Sequence, residues 1–120
     1  MAAAQKNPAD WLPLSPTQWY VLLALAESDM HGYGIMQSVK ARTEGRVRIG
    51  PGTLYSALDR MIEYGWIEEC DPPEYGDVDA RRRYYHLTQY GTRVAEMEAQ
   101  RLANSVQDAR IVGLLGSHPS

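Results

Sequence analysis

The chain has 120 residues, 44% of them hydrophobic and 22% charged, with a formal net charge of −3 and a single cysteine. That length suits one modest domain whose core a partner subunit can share, and no run is long and apolar enough to cross a membrane. Cys70 alone allows no internal disulfide, and Met1–Ala4 lacks the charged start and long apolar run of a secretory leader, so a cytoplasmic protein is expected.

Residues 1–14, Ala-rich and carrying Pro8 and Pro13, read as a flexible N-terminal arm in which Trp11 and Leu12 are the residues able to pack. Ser15-Pro16-Thr17-Gln18 is a helix start: Ser15 caps, Pro16 suits the first helical position, and Gln18 completes a capping box. Trp19 to Ala26 is apolar almost throughout, which predicts a helix buried on most sides. His31-Gly32-Tyr33-Gly34 breaks that pattern and opens a second helix through about Ala41. Ile35, Met36 and Val39 form its apolar stripe, Lys40 and Arg42 suit the macrodipole at its end, and Gly45 stops it. Val47-Arg48-Ile49 has the composition of a short strand.

A third helix is expected from about Pro51 to Tyr64. Leu54, Leu58, Met61 and Ile62 fall on one face at core spacing, while Thr53, Ser56 and Arg60 lie opposite, with Tyr55 beside them. Gly65 is a natural C-terminal cap, with Trp66 and Ile67 folding back. Ile67 to Cys70 and Arg83 to Leu87 read as two strands of a hairpin around the loop at 71–77. Thr88 caps a fourth helix from Gln89 to about Leu115, and residues 116–120 form a tail. Val94, Leu102, Val106, Ala109 and Val112 or Gly113 make a thin apolar seam, the pattern of a long helix that pairs with a second copy of itself.

The net acidity argues against nucleic acid, but charge distribution matters more than its sum. Residues 31–66 hold Lys40, Arg42, Arg46, Arg48 and Arg60 against Glu44, Asp59 and Glu63. Residues 67–79 hold Glu68, Glu69, Asp71, Glu74, Asp77 and Asp79 and no base, and Arg81-Arg82-Arg83 follow. A helix with one apolar and one hydroxyl-bearing face, trailed by a basic hairpin, can put that helix in a DNA groove and the hairpin on the phosphates.

The ordered set of motifs resembles the PadR family of bacterial transcription regulators over roughly residues 14 to 112. The matching pieces are Leu22-Leu23-Ala24-Leu25, His31-Gly32-Tyr33-Gly34-Ile35, Gly52-Thr53-Leu54-Tyr55-Ser56-Ala57-Leu58, Gly65-Trp66-Ile67, and Arg82-Arg83-Tyr84-Tyr85-His86-Leu87-Thr88. The resemblance implies a mainly α fold with a small β-hairpin: a winged helix-turn-helix domain over 15–87 and one long C-terminal dimerisation helix over 88–115, as in the shorter subfamily. It further implies a homodimeric repressor of near-palindromic double-stranded DNA, released by a small aromatic effector. Two departures stand out. Ala80 replaces the glycine often found before the wing arginines, and residues 91–115 contain no aromatic side chain to line the pocket seen in drug-responsive members. The effector site is therefore unassigned, with Trp11, Trp19 and Tyr90 as the aromatic candidates.

The DNA-contacting candidates are Thr53, Tyr55, Ser56 and Arg60 on the third helix, Tyr33 and Lys40 on the second, and Arg81, Arg82 and Arg83 on the wing. Asp59 and Glu63 repel phosphates and place base contact on the N-terminal half of the third helix. In an extended strand Arg81 and Arg83 share a face opposite Arg82, and at least one of them should neutralise a neighbouring acid. Val94, Leu102, Val106 and Ala109 are the dimerisation candidates. His31, Cys70 and His86 lack metal-ligand spacing, so neither metal nor cofactor is expected. No nucleophile–base constellation or phosphate-cradling glycine loop is present, which excludes the usual enzyme classes. The rival reading is a winged-helix protein-interaction module that never meets DNA.

Overall fold

The computed structural model describes residues 5–73 and 82–116. A 3₁₀ turn at Pro8–Trp11 leads into α1 (Pro16–Glu27), β1 (Met30–His31), α2 (Gly32–Arg42), α3 (Pro51–Glu63), β2 (Ile67–Cys70), β3 (Tyr84–Leu87) and α4 (Gln89–Ile111). The three strands form one antiparallel sheet in the order β1-β3-β2. Ile67 pairs with Leu87 and Cys70 with Tyr84, while Met30 pairs with Tyr85 on the other side of β3. This is the winged-helix arrangement: mainly helical, with a small sheet and a long C-terminal helix.

Local signals account for the boundaries. Ser15 and Gln18 make the reciprocal capping box at the start of α1, with Pro16 at the first helical position. His31 caps α2 through Nδ1, which accepts the Gly34 N–H at 2.9 Å. Gly65 ends α3 at φ +81°, and the Trp66 N–H returns to the Met61 carbonyl at 3.0 Å. Thr88 caps α4 by accepting from the Gly91 N–H at 2.9 Å.

The core lies between α1, α2, α3 and the inner face of the sheet. Val21, Leu22, Ile35, Leu54, Leu58, Met61, Trp66 and Ile67 are almost completely buried in it. Tyr85 and Leu87 point toward this core, and Tyr84 and His86 take the opposite face of β3. The first half of α4 closes the assembly, contributing Tyr90, Val94 and Ala95.

Several expectations need correction. Residues 5–14 are not a loose arm. The Trp11 ring packs 4.5 Å from that of Tyr64 and 5.0 Å from that of Trp66, Leu14 is buried, and Lys6 Nζ sits 3.8 Å above the Trp11 ring. Two aromatic surfaces and a leucine outweigh what the proline-rich composition suggests. Val47–Ile49 is not a strand, since no strand among the described residues pairs with it. Thr43 Oγ1 instead accepts the Val47 N–H at 3.0 Å and donates to the Val39 carbonyl at 2.8 Å. Ile62 lies at the edge of the core stripe and is exposed. Helix α4 stops at Ile111 rather than near Leu115, where Gly113 turns at φ +89°. Val94 is not part of a free seam: it is fully buried within its own protomer, because α1 covers this half of α4.

Candidate nucleic-acid interface

Helix α3 is divided along its length. Leu54, Leu58 and Met61 are buried, whereas Gly52, Thr53, Tyr55, Ser56, Asp59 and Arg60 are exposed. The N-cap is Gly50, which makes no side-chain cap hydrogen bond. Gly50 offers the first-turn N–H groups of α3 no side-chain acceptor, and these groups carry the positive end of the helix dipole. A helix start of this kind attracts anions. Asp59 and Glu63 are exposed farther along, on either side of Arg60, so the stretch of α3 free of acidic side chains is its first turns.

Three surface grooves gather the predicted residues. Thr53, Ser56 and Arg60 of α3 face Ser15, Thr17 and Gln18 of α1 across a groove of about 440 Å³. Tyr33, Tyr55, Arg82 and Arg83 line a second groove of about 390 Å³ with His31 and Gly32. Lys40 stands apart from both, in a groove of about 620 Å³ shared with Tyr33 and Arg48. Tyr33 thus links the last two grooves. Arg81, with Ala80 before it, lies outside the described residues.

The junction between α2, α3 and the wing is specific. A Cβ on Gly32 would stand 2.7 Å from Cζ of Tyr55, so only glycine lets this ring lie across the start of α2. The His31 ring, fixed by its cap to Gly34, is edge-on to Tyr84 at 5.1 Å and has Arg82 Nη1 3.1 Å from its Nε2. The Arg82 guanidinium also lies over the Tyr33 ring at 5.5 Å. Arg83 pairs with Glu69 at 3.3 Å between two exposed side chains, the acid-neutralising role expected for one of the wing arginines. Such a pair contributes little stability and yields readily to a competing phosphate.

Features the sequence did not disclose join the N-terminal segment to α4. Glu98, only 1% exposed, accepts the Leu14 N–H at 2.8 Å and pairs with Arg101. Burial raises the pKa of this carboxyl, but the bonds from Arg101 and Leu14 outweigh it and hold the group below its ordinary value. Tyr90 donates to the Lys6 carbonyl and accepts from the Trp11 indole, both at 2.6 Å. A helix-spaced glutamate and a tyrosine among polar neighbours carry no signal for partners 79 to 84 residues away in the chain. Beyond Glu98 every residue of α4 is exposed or half-buried. Leu102 and Ala109 are half-buried, and Val106, Ile111 and Val112 are exposed.

The sequence profile of the "Transcriptional regulator PadR-like family" matches residues 21–97. The chain belongs to this family. A relative from Streptomyces fradiae, described as an uncharacterized 37.1 kDa protein in transposon TN4556, is 36% identical over 86 residues. That stretch is 72% of this chain but only 23% of the relative, so the chain spans about a quarter of that protein. Among solved structures, a PadR family transcription regulator from Clostridium difficile superposes with a TM-score of 0.67 at 23% identity, covering 82% of this chain and 98% of that one. A transcriptional regulator from Clostridium thermocellum gives 0.59 at 24% identity, covering 84% and 90%. Both share the fold. The PadR-like match takes in every predicted DNA-contacting residue and Val94, and it ends before Leu102, Val106 and Ala109.

Proposed function

We propose that this PadR-like protein is a cytoplasmic, homodimeric transcriptional repressor that binds a near-palindromic operator. The observation that carries the reading is the division of α3, with three core residues on one side and a hydroxyl-bearing face opening from an uncapped N-terminus on the other. Thr53 and Ser56 are short enough to let the helix approach base edges, and Arg60 reaches guanine or phosphate. Tyr55, Tyr33 and Lys40 contact the flanking backbone, as do Arg81, Arg82 and Arg83 from the wing. Residues 15–87 form the DNA-binding unit, with residues 5–14 braced against it.

The exposed half of α4, through Leu102, Val106 and Ala109, pairs with a second copy. Two-fold symmetry then places half-sites about one helical turn apart. A small aromatic effector that favours a different dimer geometry releases the DNA.

A mobility shift with DNA from upstream of the protein's own gene tests the reading. A complex that weakens steeply with added salt and prefers that DNA over unrelated duplex is expected. No salt-sensitive shift at low ionic strength would favour a protein-interaction module instead.

A further inference from the structure

The outer face of the sheet brings together three ligand-type side chains that are far apart in sequence. Asp29 directly precedes β1, Cys70 ends β2, and His86 lies on β3. The pairing of Met30 with Tyr85 places Asp29 one rung on, beside His86. On the other side of β3, Glu68 is the register partner of His86, and Cys70, two residues further along β2, takes the same face as Glu68. A thiol sulfur, an imidazole nitrogen and a carboxylate oxygen consequently lie within 4.8 Å of one another.

We propose that Asp29, Cys70 and His86 form a binding site for a thiophilic divalent cation of the zinc class at the root of the wing. The donor chemistry selects the metal. Sulfur, nitrogen and oxygen donors together suit zinc and its neighbours, whereas calcium and magnesium require oxygen shells. Tetrahedral zinc places its ligand atoms about 3.5 Å apart, so closure from the observed separations needs only side-chain adjustments of about 1 Å.

The surroundings suit a cation as well. Glu68 Oε1 is 2.7 Å from His86 Nε2. In the neutral ring it holds the proton there and leaves the lone pair on Nδ1, the carboxylate–histidine support common behind metal ligands. Cys70 Sγ is 3.8 Å from Asp29 Oδ2. The Asp29, Glu68 and Asp71 carboxylates all act on this thiol, forming an anionic setting that a dication neutralises. On binding, the Cys70 thiol releases one proton to solvent and coordinates as thiolate. A bound ion ties β2, at its exit into the wing, to the segment between α1 and β1. Its influence on the wing–DNA contact rests on the function proposed above, but the site itself does not.

Cobalt titration of the metal-free, reduced full-length chain tests the site without DNA. One Co²⁺ per chain is expected, with thiolate-to-cobalt absorption in the near ultraviolet and the visible bands of a four-coordinate ion, both displaced by Zn²⁺. Cys70→Ser should abolish the near-ultraviolet band. His86→Gln and Asp29→Asn should each weaken binding by at least about tenfold. Circular dichroism identifies any variant that fails to fold, and Asp29, being exposed, provides a variant least able to disturb the core. Absence of the thiolate band in the parent chain would overturn the proposal, as would parent-like affinity in the folded variants.

Discussion

Replacing Gly91 by alanine tests how α4 is seated. A Cβ at this position would stand 2.6 Å from the carbonyl carbon of Trp66 and 2.9 Å from its Cα, and closer still to the carbonyl oxygen. Ordinary carbon contacts begin near 3.5 Å, so backbone must separate by about 1 Å. No side chain can swing away to relieve this, because the obstacle is main chain. The displaced carbonyl is also the acceptor of the Thr88 N–H at 3.0 Å, so backing off stretches the bond that positions the cap of α4. Overpacking of this kind costs about 3 kcal/mol, against which the better helix propensity of alanine returns about 1 kcal/mol. A net loss of about 2 kcal/mol should lower the melting temperature by roughly 8 °C in a domain of this size. Gly52→Ala is the internal control, since an added Cβ there meets nothing within 4 Å, and it should leave the chain unchanged or slightly more stable. Thermal unfolding by circular dichroism at one fixed protein concentration compares the variants. If Gly91→Ala melts with or above Gly52→Ala, the close seating of α4 on Trp66 is wrong.

The remaining predictions concern acid stability, the wing and assembly. Glu98 is held below the ordinary carboxyl value, so its stabilising contribution is complete above about pH 4.5 and is lost as pH falls through the folded value. Glu98→Gln should be less stable at pH 7 yet lose less stability between pH 6 and pH 3, and parallel curves in urea titrations would discount the carboxylate. Arg82→Ala combined with Arg83→Ala should weaken binding to all DNA sequences and flatten the salt dependence, whereas an unchanged slope removes the wing from the interface. Thr53→Ala with Ser56→Ala should relax operator preference by about 1–3 kcal/mol; equal loss on specific and unrelated duplex would leave them only a positioning role. Leu102→Glu with Val106→Glu should yield monomers in ultracentrifugation, and a persistent dimer would place the seam elsewhere.

Much of the fold was legible because its signals are local. Ser15, Gly65 and Thr88 mark helix boundaries by cap chemistry that acts within three or four residues, and the 3.6-residue spacing of Leu54, Leu58 and Met61 shows which face of α3 is buried. What depends on distant partners was not legible. Strand β1 is two residues long, too short for any alternation, and exists only because β3 offers an open edge to Met30 and His31. The packing of Trp11 needed Tyr64, Trp66 and Tyr90 to be brought together first. Val94 and Leu102 fall on the same helical stripe, and periodicity alone cannot tell a residue covered by its own α1 from one that projects beyond it. The Asp29, Cys70 and His86 cluster is likewise a product of strand register, and no linear spacing motif records it.

In the proposed dimer, the same seating is the route by which dimer geometry would reach α3. Thr88 Oγ1 donates to the Gly65 carbonyl, its N–H bonds the Trp66 carbonyl, and Gly91 rests directly against Trp66. Gly65 directly follows the C-cap of α3, so the start of α4 is hydrogen-bonded to the end of the proposed reading helix. Under the proposed function, rotation of α4 against a second copy would be transmitted to α3 through these contacts. From Gly91 to Val106 the helix runs about 22 Å at 1.5 Å per residue. A change of about 10° in how two such helices cross shifts their far ends by about 4 Å, roughly the rise of one base pair. In the proposed complex, a change of that size would take the two α3 helices out of register with half-sites one turn apart. If the proposed dimer forms through the exposed half of α4, an effector acting there would control operator binding without touching α3.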